Sequence, residues 1–297
     1  MSRRTLEHPP GYRDGRLFFD GEASGVLRTA FDVAAYTSHA RGRIDVDAEA
    51  VELDPETRAD LDFLWRIETA ALGDMRSMLA SWTSKEARIT AFLGTWAYER
   101  HWNAHAVRQL LKAAGPAPGR RKAQGIRSRL RHAYVQYLLP GIAPVVGITV
   151  GEPVTAGQMA RMAVHEGALQ VAYREILPRL GSGARRTVEE VVERRETFLE
   201  FFRLEAAERI RRSRAEALSA RLHLVWPWSP MRPDSIAQPD EGQRLTSIFR
   251  DPASRTRLAH SDAEGAHGLG VAPSVAMVGA SMRGARSAEE NRSRRGL

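Results

Sequence analysis

Three glutamates of this chain, Glu68, Glu166 and Glu196, each interrupt an otherwise apolar stripe along a predicted helix. Their apolar neighbours recur at steps of three and four residues. Such steps return to one helix face, so each carboxylate is predicted to face inward with those neighbours. An inward carboxylate is costly unless a metal ion, a cation or hydrogen bonds compensate it. Carboxylates that converge inside a helix bundle can also bind two metal ions. The glutamates therefore predict a polar or metal-binding centre in a helical core.

Four long predicted helices must position these glutamates. Asp54 can cap the first helix, Pro55 suits its first turn, and proline and glycine residues separate the later helices. The predicted helices cover residues 54–82, 84–114, 155–177 and 184–220. Few segments alternate with a period of two residues, so little sheet is expected. Short turns within each pair of helices and a long connection between the pairs predict an all-α fold. We expect a four-helix bundle with one long crossover, plus extra short helices.

The pattern divides the chain into four regions. They are an N-terminal arm at 1–53, the helical bundle at 54–220, an extended segment packing on the bundle at 221–258, and a tail at 259–297. The tail is rich in Ala, Gly, Ser and Arg and poor in large apolar residues, so it is predicted to be disordered. A basic helical piece at 126–139 lies within the crossover. We interpret it as a solvated helix face; the alternative is a docking surface for an acidic carrier protein.

Composition excludes several classes of chemistry. The chain has 297 residues and no cysteine, which excludes disulfides, thiol nucleophiles and thiolate metal sites. The net charge of +8 comes almost entirely from arginine and is accompanied by interspersed acids, and no nucleic-acid-binding motif is present. We therefore expect no nucleic-acid partner. No apolar run is long enough for a membrane span or a signal peptide, so we expect a cytoplasmic protein, which can form a homodimer.

The four helices carry a pattern that resembles the ferritin-like superfamily, most of all its acyl-carrier-protein-desaturase-like and related actinobacterial members. The residues concerned lie at 65–68, 96–103, 164–166, 172–174 and 195–202. The resemblance implies a di-iron site with one glutamate from the first helix, one from the third, and a Glu-x-x-His motif from each of the other two.

Glu68 and Glu166 match the two lone glutamates of that pattern. In the fourth helix Glu196 matches the motif glutamate, but Leu199 stands at the histidine position. In the second helix Arg100 follows Glu99 and occupies the position of the ligating glutamate, with Asn103 at the histidine position. Both family histidines and one family carboxylate are therefore missing from the matched positions.

Two interpretations of this centre remain open. In the first, no metal or other cofactor binds, and Arg100 forms an ion pair with an inward glutamate because a guanidinium cannot deprotonate in a protein. The remaining polar-core or ligand-pocket residues would be Asn103, His165, Tyr98 and Tyr173. In the second, carboxylates alone hold iron, as a di-iron site, or manganese. The metal ligands would then be Glu68, Glu99, Glu166 and Glu196.

The function predicted from the sequence follows the first interpretation. We expect a ferritin-like protein with degenerate di-iron ligands that acts as a metal-independent catalyst, a binding protein or a structural protein. The alternative is a non-haem iron oxidoreductase, oxidase-like or desaturase-like, that acts on a small apolar or carrier-protein-bound substrate. The sequence does not decide whether the chain is an enzyme.

Overall fold

The computed structural model describes residues 12–13, 16–17, 27–116, 151–225, 228–232 and 240–295 of the chain. Within them the fold is all-α, as predicted, apart from the two-residue antiparallel strands β1 (Tyr12–Arg13) and β2 (Arg16–Leu17). The α-helices are α1 (Val33–Ser38), α2 (Pro55–Glu68), α3 (Ala71–Leu79), α4 (Ala87–Ala113), α5 (Pro153–Ile176), α6 (Ser182–Arg212), α7 (Arg214–Val225), α8 (Glu241–Ile248), α9 (Pro252–Ala266) and α10 (Pro273–Arg295). Short 3-10 turns lie at Ala48–Ala50, Trp82–Lys85 and Leu177–Arg179.

The first predicted helix is divided into α2 and α3. Asp54 caps α2 as expected, because its side chain accepts hydrogen bonds from the backbone N–H groups of Glu56 and Thr57. The regular i to i−4 hydrogen bonding stops at Ala70, whose N–H donates to the carbonyl of Ile67, three residues earlier. Helix α2 thus ends at Glu68, and this last residue is buried inside the molecule.

Helix α5 is the central element of the described structure, and most of its residues are buried. It packs against α2, α6, α7, α8, α9 and α10. Small residues allow these close approaches. A Cβ added at Gly265 of α9 would lie 3.0 Å from Val164 Cγ2 and 3.1 Å from its backbone nitrogen. A helix with apolar or small side chains on all of its faces is typically buried in the core of a protein.

The fourth predicted helix ends earlier than expected. Helix α6 stops at Arg212, and Ser213 has the extended backbone angles φ −151° and ψ 152°. The chain then reverses into α7, where Gly157 of α5 leaves room for the His223 ring. The segment predicted to be extended at 221–258 therefore contains the end of α7, all of α8 and the start of α9, while Met231 between α7 and α8 is buried.

The C-terminal tail, predicted to be disordered from residue 259, is helical in the structure. Residues from 259 onward complete α9 and form α10. The buried carboxylate of Asp262 accepts hydrogen bonds from Ser274 Oγ at 2.5 Å and from the backbone N–H groups of Ser274 and Val275 at 2.8 and 3.2 Å. It thereby caps α10 from the neighbouring helix. A low content of large apolar residues did not prevent ordering, because small side chains let α9 approach the backbone of α5.

Two further predictions concern membranes and the crossover. Among the described residues no helix is long and apolar enough to cross a membrane. The basic helical piece at 126–139 lies outside the described residues, so its interpretation as a solvated helix face and the alternative of a docking surface both stay predictions.

Candidate functional site

Four charged side chains from four helices meet in the centre of the molecule. They are Glu68 at the end of α2, Arg100 of α4, Glu166 of α5 and Arg195 of α6. All four side chains are completely buried, at 0% exposure. We call this group the quartet. Within it Glu68 and Glu166 share one interior pocket, and Arg100 pairs with both of them.

Each arginine of the quartet contacts both glutamates. Arg195 Nη1 lies 2.7 Å from Glu68 Oε1, and its Nη2 contacts Glu166 Oε2. Arg100 Nη1 lies 2.5 Å from Glu166 Oε1, and its Nε contacts Glu68 Oε2. The result is a closed ring of alternating charge whose formal sum is zero. Because all four carboxylate oxygens face a guanidinium, neither carboxylate is left buried without a cation.

The surroundings of the quartet supply further hydrogen bonds. Trp96 Nε1 donates to Glu166 Oε1 at 3.1 Å, and Arg100 Nη2 donates to the carbonyl oxygen of Ile67 at 3.1 Å. That carbonyl belongs to the last turn of α2, where the helix dipole favours a cation. The break between α2 and α3 therefore helps to position Arg100.

Neighbouring charges and burial shift the pKa values of Glu166 and Arg100 in opposite directions. Burial alone would raise the pKa of Glu166, but Arg100 and Arg195 outweigh it and hold the pKa below its ordinary value. Burial alone would lower the pKa of Arg100, but Glu166 and Glu68 hold it above its ordinary value. Beside them, burial and Glu68 raise the pKa of Tyr173, which is itself fully buried. Glu166 and Arg100 therefore both stay charged at neutral pH.

The prediction that Glu196 faces inward is wrong by one helix position. Its side chain is 57% exposed and pairs at the surface with Arg174, at 2.8 Å. Consecutive helix residues differ in direction by about 100°, so the inward direction belongs to Arg195. The inner face of α6 includes Val188, Val191, Val192, Arg195, Phe198, Leu199 and Phe202. The sequence did not reveal Arg195, because the apolar stripe of α6 is more than one residue wide. Such a stripe is compatible with a helix rotation that buries Glu196 and with one that buries Arg195.

Glu99 is buried, as an inward orientation requires, but it binds the N-terminal segment and does not join the quartet. Its Oε1 accepts from the backbone N–H of Arg41 at 2.7 Å, and its Oε2 accepts from the Tyr36 hydroxyl at 3.2 Å. Burial raises the pKa of Glu99 above its ordinary value, although both hydrogen bonds oppose that shift. Its neighbour Tyr98 is 47% exposed, so its proposed place in the polar core is wrong.

We expect Glu99→Gln to raise the free energy of unfolding at pH 8 and to change it little near pH 4.5, the ordinary pKa of glutamate. The folded-state pKa is raised, so the stabilising contribution of Glu99 is complete below its unfolded value and is lost as the pH rises through the folded one. Glutamine can still accept from Arg41 N–H and donate to the Tyr36 oxygen.

Urea unfolding at pH 5 and pH 8 measures this effect, with Glu193→Gln as the control because the Glu193 side chain is 64% exposed. A Glu99→Gln chain less stable than the parent at pH 8 would contradict the assignment.

Asn103 lies three residues after Arg100, His165 directly precedes Glu166, and both are buried, but neither belongs to the quartet. Neither amide atom of Asn103 has a hydrogen-bond partner within the described part of the chain. His165 Nδ1 accepts from the backbone N–H of Met231 at 3.4 Å, and burial lowers the pKa of His165 to about 3. His165 is therefore a neutral side chain that holds the segment before α8 against α5.

A second buried charge network, which the sequence did not predict, lies near the carboxyl end of α6. Arg209 is fully buried and its Nη2 lies 2.6 Å from Glu86 Oε2 and 3.3 Å from Glu205 Oε2, while its Nη1 lies 3.8 Å from Glu216 Oε1. These contacts join the amino end of α4 to α6 and α7.

The side chains at the centre do not fit a di-iron site. Of the four proposed ligands only Glu68 and Glu166 come together, and two guanidinium groups occupy the space between them. Across the described residues, no group of three or more His, Asp or Glu side chains has the arrangement needed to hold a metal ion.

Comparison of the chain with known protein families, curated proteins and solved structures gave no match. The fold and the geometry of the site therefore carry the functional argument.

Proposed function

We propose that the chain is a metal-independent member of the ferritin-like superfamily and that it works as a binding protein. In this proposal the quartet replaces the metal centre, stabilises the bundle and carries out no redox chemistry. The iron oxidoreductase remains the alternative.

The positions of the quartet support this proposal. The ferritin-like pattern takes a lone glutamate from each of two helices, and these match Glu68 and Glu166. It takes a Glu-x-x-His motif from each of the other two, and the inward residues there are Arg100 with Asn103 and Arg195 with Phe198. If the match in the fourth helix is shifted by one residue, from Glu196 and Leu199 to Arg195 and Phe198, each helix contributes one quartet member at the position of a family glutamate. Two of the four carboxylates would have become arginines.

The charge balance of the quartet is the observation that carries the proposal. In the family pattern four carboxylates balance two divalent cations. In this chain two carboxylates balance two guanidinium groups within one fully buried ring. An added divalent cation would face two permanent positive charges that cannot leave by deprotonation. It would also have to compete with them for every carboxylate oxygen.

Elemental analysis of protein purified from iron-supplemented cells tests the proposal. We expect no stoichiometric iron or manganese, whereas about two irons per chain would contradict the proposal and support the oxidoreductase. A rebuilt variant serves as the positive control. It combines Arg100→Glu, Asn103→His, Arg195→Glu and Phe198→His, which restores the full family pattern at these positions. Iron in the rebuilt variant but not in the parent would show that the arginines exclude it.

A further inference from the structure

A groove opens on the surface between three helices, away from the quartet. Helix α5 forms its floor, α6 and α9 form its walls, and its volume is about 780 Å³. Val171, Leu199 and Leu204 give it a largely apolar lining. A cavity of a few hundred cubic ångströms with an apolar lining and a few charged groups suits a small organic molecule. We call it the α5–α6–α9 groove.

Gly167 makes polar and apolar groups meet on the floor of this groove. A Cβ added there would collide with Ser261 Oγ and lie 3.7 Å from both Arg203 Nη2 and Leu199 Cδ1. The missing side chain therefore leaves a hydroxyl, a guanidinium and a leucine methyl within reach of one point.

Arg203 is the cation at this point, and Glu264 is its carboxylate partner among the described residues. It reaches across from α6 to α9, where its Nη2 lies 2.6 Å from Glu264 Oε2 and donates to Ser261 Oγ at 3.3 Å. Its Nε is buried and has no hydrogen-bond partner within the described part of the chain. Burial lowers the pKa of Arg203 despite Glu264, and the positive charge of Arg174 adds to the shift. An anionic group bound here would gain a favourable partner.

Glu200 provides the opposite charge one helical turn away from Arg203. It lines the same groove and is exposed. Because Arg203 turns toward α9, Glu200 makes no ion pair with it, and no other described residue pairs with Glu200. The remaining charges that line the groove are already paired. They form the pairs Arg174–Glu196, Arg257–Glu175 and His260–Glu264.

We propose that the α5–α6–α9 groove binds a small zwitterion with an apolar body, of the kind represented by a dipeptide of apolar residues. Its carboxylate would bind Arg203, its ammonium group would bind Glu200, and its side chains would pack on Val171 and Leu199. Glu200 and Arg203 lie three residues apart on α6 and line the same groove without pairing with each other, so a ligand that carries two opposite charges can reach both. The inference rests on the proposed binding function and specifies its ligand class.

Calorimetric titration with leucyl-leucine tests the two charges separately. The N-acetylated dipeptide lacks the ammonium group, and the dipeptide amide lacks the carboxylate. We expect leucyl-leucine to bind and each derivative to bind about tenfold more weakly, the loss of one charge-assisted hydrogen bond. No binding at millimolar concentration, or equal binding of all three compounds, would overturn the proposal.

Glu200→Gln assigns the ammonium subsite without disturbing the helix contacts. We expect it to weaken leucyl-leucine about tenfold and to leave the acetylated dipeptide unchanged, because that ligand has no ammonium group to lose. The matched control is Glu189→Gln, an exposed glutamate on the same helix and outside the groove. Equal weakening by both variants, or weakening of the acetylated ligand by Glu200→Gln, would contradict the subsite.

Arg203→Met tests the carboxylate subsite, with thermal unfolding measured in parallel because Arg203 also joins α6 to α9. We expect it to weaken leucyl-leucine and to leave the dipeptide amide unchanged. Failure of these titrations in a chain that contains no iron would reject the groove alone. Iron in a chain that binds the dipeptide would instead reject the metal-independent function.

Discussion

Arg195→Met should lower the free energy of unfolding by about 3–5 kcal/mol, the usual effect of removing one partner from a buried ion pair. Methionine fills much of the space of arginine but carries no charge. The two buried carboxylates of the quartet would then share Arg100 alone, and Glu68 Oε1 and Glu166 Oε2 would lose their guanidinium partners. Arg100→Ala should also lower the melting temperature clearly, because it strands the same carboxylates and leaves a cavity.

Urea unfolding measured by circular dichroism gives this free energy for each variant. Arg174→Met is the matched control, because Arg174 and Glu196 form an ion pair whose side chains are 52% and 57% exposed. An exposed pair contributes only about 0.2–1 kcal/mol. If Arg195→Met lowers the free energy of unfolding no more than this control does, the quartet does not stabilise the packing of the helices in the way we describe.

Removing all four charges separates the cost of a stranded charge from the value of the quartet. The variant combines Glu68→Leu, Arg100→Met, Glu166→Leu and Arg195→Met. Replacing a complete buried ion cluster by apolar side chains is often neutral or stabilising. We therefore expect this variant to be more stable than Arg195→Met alone. A fourfold variant that is less stable than the single one would show that the charges themselves hold the helices together.

Arg209→Met should have the second largest effect, also about 3–5 kcal/mol. The substitution removes a fully buried cation from the acids of α4, α6 and α7 that surround it. Arg88 would still contact Glu205, and Arg212 would still contact Glu216, but Glu86 would lose its contact with Arg209. The matched control is Arg211→Met two residues later, because the Arg211 side chain is 68% exposed.

The pH dependence of this variant has a definite sign. Without Arg209 the buried acids that surround it share fewer cations and repel one another more strongly in the folded state, and proton uptake relieves this repulsion, so the cost of the substitution should fall as the pH decreases. The difference in unfolding free energy between Arg209→Met and the parent chain should therefore be smaller at pH 5 than at pH 8. A difference that is independent of pH would mean that the cost comes from packing and not from unpaired charge.

Much of the core pairing could be predicted from the sequence, for identifiable reasons. Glu68 and Glu166 each lie in the middle of a stripe of apolar residues, and burial of such a stripe carries its polar member inward. Arg100 could be paired with them because a buried permanent cation requires an anion. Arg195 could not be distinguished from Glu196 by the same argument, because the two side chains differ in direction by only about 100° and the apolar stripe of α6 is wide enough to include either.

The ordered C-terminal helices show a different reason for failure. Residues such as Gly265 carry almost no hydrophobic signal, yet their small size lets α9 approach the backbone of α5 closely. Asp262 could not be identified as the cap of α10, because the residue it caps lies on a different helix and 12 positions later in the chain. Contacts between elements decide such features, and local composition does not contain them.

The sequence by itself determined that this chain is built from helices, that Asp54 begins the first long one, and that two glutamates and an arginine share its interior. These properties follow from periodicity, from capping chemistry and from the cost of burying a single charge. The tertiary structure alone decided that a second arginine, Arg195, completes the quartet, and that Glu196 and Tyr98 face away from it. A rotation of one residue on a helix changes which side chain is buried, and only the packing of neighbouring helices fixes that rotation.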